Sequence, residues 1–155
     1  MIGIIMRQSI ILFLLLISSE ISYSGEVSLA CNVQTTYTSS SGDVVKDSGR
    51  ALVEITEETY FKSIFISSDI PDANLGVSTR IPAGMRGKSE DFSSKFKWEI
   101  HTTVERDDGS IANKIIIDRI SGMLISTVDM NKNGRMTTIN IGGTCRKSDA
   151  NNRKF

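Results

Sequence analysis

The chain has 155 residues, with 18 lysines and arginines against 18 aspartates and glutamates, one histidine and two cysteines, so its formal charge is zero. A balanced charge creates no field that draws in polyanions, which sets nucleic-acid binding aside. One histidine and two cysteines also fall short of a zinc ligand set, and the length suits one domain.

The first 24 residues stand apart. Arg7 supplies positive charge, Ile10 to Ile17 (IILFLLLI) is an unbroken apolar run, and Ser18, Ser19 and Glu20 end it before the small residues Ser22 and Ser24. A membrane span needs about 20 apolar residues, so this run is too short. The pattern is that of a secretory signal peptide cut after Ser24, the alternative being an uncleaved anchor. The expectation is a periplasmic or secreted protein with no stable membrane insertion after cleavage. Leu29-Ala30-Cys31 resembles the end of a lipid-attachment box but lies too far past the apolar run, so lipidation is set aside.

Residues 25–155 then form the domain. The first strand runs from about Glu26 to Thr38, with Val27, Leu29, Cys31, Val33, Thr35 and Tyr37 on one face. Ser39-Ser40-Ser41-Gly42-Asp43 turns the chain, and a polar connection leads to a second strand in which Ala51, Val53 and Ile55 alternate with Leu52, Glu54 and Thr56. Glu57-Glu58-Thr59 turns again into a third strand, Tyr60 to Ser67, rich in aromatic and β-branched residues.

Residues 68–91 follow as a long loop holding both prolines and Gly76, Gly84 and Gly87. Long structureless connections tend to be functional or disordered. One reading is a partner-binding loop bearing Arg80, Met85, Arg86 and Lys88. The other is a packed surface crossing with one short strand near Gly76 to Arg80.

The next strand alternates clearly. Phe92, Phe96, Trp98, Ile100, Thr102 and Val104 face one way, and Lys95, Lys97, Glu99, His101, Thr103 and Glu105 the other. Trp98 is then a core anchor, and His101 a surface imidazole. After the turn Asp107-Asp108-Gly109-Ser110, residues 111–146 form a three-stranded meander cut by Ser121-Gly122 and by Asn131-Lys132-Asn133-Gly134. Its last strand turns Thr137, Ile139, Ile141, Gly143 and Cys145 to one side. A polar, basic tail follows to Phe155.

No helix announces itself. About seven strands, mostly in sequential hairpins, imply an all-β fold: a small antiparallel meander barrel, the alternative being a β-sandwich. In an exported chain two cysteines are expected to pair, and both lie on apolar faces, so the expectation is a Cys31–Cys145 bridge joining the first strand to the last, the alternative being two separate buried thiols. An inward bridge between terminal strands favours the barrel, which has no exposed edges.

The chemistry is sparse. No nucleophile has a base arranged beside it, and Glu57-Glu58 and Asp107-Asp108 are adjacent acids in turns. Asp129 to Gly134 matches the opening of a calcium loop, but Asn140 stands where a bidentate glutamate belongs and the flanks are strands. Gly142-Gly143 marks a bulge or a close backbone approach. No enzyme activity, cofactor or metal is expected.

At Ile115-Ile116-Ile117-Asp118-Arg119-Ile120-Ser121-Gly122, followed by Gly143-Thr144-Cys145 and Lys154-Phe155, the chain resembles small exported proteins of unassigned role common in proteobacteria. That resemblance implies the bridge and an envelope location, and carries no activity. More loosely, size, export and cysteine placement are similar to those of periplasmic lysozyme inhibitors. The expected function is that of a monomeric binding or accessory protein for a protein or small ligand of the envelope, the alternative being an inhibitor of lysozyme or another hydrolase.

Overall fold

Period-two alternation carries almost the whole domain into strands. The computed structural model describes residues 25–148; the expected signal peptide and the tail with Phe155 lie outside them. The strands are β1 (Gly25–Thr38), β2 (Val44–Glu58), β3 (Phe61–Ser68), β4 (Leu75–Ser78), β5 (Arg86–Asp91), β6 (Lys97–Arg106), β7 (Gly109–Asp118), β8 (Met123–Lys132) and β9 (Arg135–Lys147). A 3-10 turn, Pro71–Ala73, precedes β4. They make one antiparallel sheet in the order β4-β3-β2-β1-β9-β8-β7-β6-β5, curled into a nearly closed barrel.

Two meanders, β1 to β4 and β5 to β9, are therefore joined through the β1–β9 ladder. In its register Cys31 stands opposite Cys145, and the two form the expected disulfide. Inward side chains fill the barrel, with Val53, Ile55, Ile64, Ile100, Ile115, Ile117, Leu124 and Ile141 fully buried. Gly143 allows this packing, because a Cβ there would run into the carbonyl oxygen of Asn32. Gly142 has open space above it, so the close approach belongs to Gly143 alone.

The seam follows from the strand count. Nine successive antiparallel strands leave β4 and β5 running in the same direction. A parallel ladder between consecutive strands needs a long crossover, and only residues 79–85 connect these two. Side chains bridge the seam instead: Ser89 Oγ donates to the carbonyl oxygen of Ser78 (2.6 Å), and Lys62 meets Asp91 at 2.8 Å.

Several expectations are corrected. There are nine strands rather than about seven, because the 68–91 loop contains both β4 and β5. β4 is the short strand expected there; β5 has no apolar alternation to reveal it. The polar stretch before Ala51 belongs to β2, since β1 is long enough to pair it from Thr38↔Val44 onward. Phe92 and Phe96 do not share the inward face of Trp98. They lie on the connection 92–96, ahead of β6, and are exposed. Glu99 faces outward as expected yet is only 6% exposed, because that connection folds over it.

Candidate functional site

The strands β3, β2, β1 and β9 bear outward residues of very unequal length at one level. Register places Arg146, Ala30, Leu52 and Ser67 in one row, and Thr144, Asn32 and Arg50 in the next. Small side chains beside long ones leave a groove of about 640 Å3 across the four strands, which Asp69 also lines. That volume is in the range of small-molecule sites.

Two arginines line this groove from the strands on either side of β1, Arg50 on β2 and Arg146 on β9. Among the described residues neither has an ion-pair partner. The floor is Ala30 and Leu52 over the disulfide, and Asn32, Ser67 and Thr144 add neutral hydrogen-bonding groups. Asp69 is the groove's carboxylate, and its Oδ1 accepts the Arg50 backbone amide at 2.8 Å. A negatively charged head between the arginines and an apolar body along the floor suit this lining. Of two further clefts around Ser40 and Arg135, one has Arg135 as its cation and the other Lys132 and Arg135, of which Lys132 lies 3.6 Å from Asp108.

The barrel mouth beside Gly25, an alternative place for a ligand, is sealed by charge. Arg119 lies over the ring of the inward Trp98 at 4.1 Å and pairs with Glu57 at 2.9 Å. Glu57 approaches Lys62 (3.8 Å), and Lys62 pairs with Asp91. Partial burial would raise the pKa of Asp91, but hydrogen bonds from Lys62 and Ser93 outweigh it and hold the carboxyl below its usual value.

On the outer wall, Glu99 accepts hydrogen bonds from Lys97 Nζ and from His101 Nε2 (2.7 Å), with Lys114 Nζ at 3.9 Å. Burial works to raise its pKa, and the bonds from Lys97 and His101 reverse this to leave it below the ordinary value. His101 stacks obliquely on Phe92, with ring centroids 4.7 Å apart, and is half-buried rather than free on the surface.

The four loop residues singled out from sequence do not converge. Arg80 packs over Phe61 at 5.5 Å and Met85 is exposed, while Arg86 and Lys88 belong to β5. Arg86 lies 3.8 Å from Asp107, Lys88 pairs with Glu90 at 2.8 Å, and none of the four lines the groove. At the calcium-like segment, Asp129 accepts from Thr138 Oγ1 (2.6 Å) and Asn131 Oδ1 from the Gly134 amide (3.1 Å), so these oxygens serve the hairpin.

Arg50 and Arg146 were missed because they stand far apart in the chain, in a polar stretch and near a basic tail. The available signal was alternation: each adjoins an inward residue, Ala51 or Cys145, and the bridge brings Arg146 opposite Ala30. Comparison with family models, curated proteins and solved structures finds no match for this chain.

Proposed function

We propose that this chain is an exported, non-enzymatic binding protein of the periplasm or extracellular medium, and that the groove over the disulfide holds a small anionic molecule with an apolar body. The observation that carries the reading is the pair of arginines without ion-pair partners among the described residues, lining one groove from the strands on either side of its Ala30 and Leu52 floor. Burying part of a ligand's chain on Ala30 and Leu52 contributes about 0.8 kcal/mol per methylene. The charged head sets orientation. The bridge is compatible with an oxidising compartment, which supports export.

Calorimetric titration with laurate, dodecanol and inorganic phosphate tests this. Laurate is expected to bind, dodecanol and phosphate at least tenfold more weakly, and Arg50→Gln with Arg146→Gln to abolish the preference for laurate over dodecanol. Equal affinity for laurate and dodecanol, or a preference that survives the double substitution, overturns the reading.

A further inference from the structure

The two ends of the barrel differ in chemistry. At the end away from Gly25, the hairpin turns Ser39-Ser40-Ser41-Gly42-Asp43, Asp107-Asp108 and Asn133-Gly134 are polar; Ile70 and Ala73 of the β3–β4 connection are buried, and the apolar Val44, Val45, Met85 and Met136 beside these turns are about half exposed. At the end where β1 begins, the connections after β2, β5 and β7 carry Tyr60, Phe96 and Ile120, which are 84%, 53% and 79% exposed. Phe92 and Met123 are half exposed beside them. Soluble monomers scatter single apolar residues over their surfaces, but here the two most exposed large ones, Tyr60 and Ile120, stand on turn tips at the same end as Phe96, which marks an interaction surface.

These tips are held as one body. The Arg119 amide donates to the carbonyl oxygen of Phe96 at 2.8 Å, tying the β5–β6 connection to the β7–β8 turn. Arg119 also pairs with Glu57 at the end of β2, next to the turn that bears Tyr60. Lys95 Nζ sits 4.8 Å from the Phe96 ring centroid, so an ammonium stands beside the apolar tip. That combination of ring and cation suits the boundary between headgroups and acyl chains.

We propose that this end of the barrel docks peripherally on a lipid bilayer, inserting Tyr60, Phe96 and Ile120 into the interface. The tips are convex projections on separate turns, and a deformable lipid surface accommodates these without matching pockets. The chain also enters the domain here: Gly25 pairs with Glu57, and the apolar run Ile10 to Ile17 precedes it in sequence. Acidic Glu26 and Glu58 offset nearby lysines, so apolar insertion rather than net charge drives the docking.

The test is co-sedimentation of residues 25–155 with phosphatidylcholine vesicles, with and without phosphatidylglycerol, at low and high salt. Binding to both vesicle types with little salt dependence is expected. Phe96→Ser and Ile120→Ser should each weaken it about tenfold. These exposed substitutions should leave the unfolding transition in place, and Asp107→Ser at the opposite end should leave binding unchanged. No sedimentation with either vesicle overturns the proposal, as does binding confined to phosphatidylglycerol and abolished by salt. Tip-dependent self-association without vesicle binding also overturns it and assigns the tips to a protein contact.

Discussion

Glu99 shows how a charge is kept under cover. Its side chain is 8% exposed, yet Lys97 and His101 bond to its carboxylate and Lys114 stands close, so ionisation is favoured over neutrality. A carboxyl whose folded pKa lies below its unfolded value of 4.5 contributes stability in full above that value, and the contribution is lost as pH falls through the folded pKa. Glu99→Gln should therefore cost about 1 to 3 kcal/mol at pH 7. The deficit should shrink between pH 7 and pH 3, as the pH falls toward and through the folded pKa and the wild-type carboxyl takes up a proton. Urea unfolding of both proteins at the two pH values checks this; an equal deficit at both would show that the charge is not what matters. Alternation correctly turned Glu99 outward. It was silent on burial, because the cover comes from the 92–96 connection, where Phe92 bonds through its amide to the Glu99 carbonyl oxygen at 2.9 Å.

At the scale of elements, the weak place is the seam between β4 and β5. Each has a strand ladder on one side only, and β5 (RGKSED) brings no large apolar side chain inward. The long central strands β1 and β9 are paired on both sides. Local opening energies follow buried apolar contact and ladder pairing, so amides of β5 should exchange with solvent well before those of β1 and β9. Ser89→Ala, which removes the hydroxyl bonded to the Ser78 carbonyl, should cost about 1 kcal/mol and speed β5 exchange further. Hydrogen exchange read by mass spectrometry separates these strands; uniform protection across the sheet would mean that the barrel opens as one unit. The same poverty of apolar residues that weakens β5 concealed it in the sequence. Trp98 to Val104, the next strand, was plain because each second residue is large or β-branched.

For the molecule as a whole, the β1–β9 ladder, braced by the disulfide, is the strand pairing that joins two meanders built from local hairpins. The cysteines are separated by 114 positions, and closing a loop of that length removes entropy from the unfolded chain worth about 4 to 5 kcal/mol. Their pairing was legible because parity placed both on inward faces, whereas the groove above them was not, since it depends on which outward neighbours are long and which short. Substituting both cysteines by alanine should thus lower stability by about 4 kcal/mol while leaving the strand content unchanged, because Leu29, Val33, Ile139 and Ile141 still pack in the core around the join. Denaturant unfolding of the oxidised wild type and the double variant, with far-ultraviolet circular dichroism of both, provides the check. A loss below about 1 kcal/mol would place most of the join in the ladder and its apolar packing, and loss of the strand signal would make the bridge a condition of folding rather than a brace on a finished barrel.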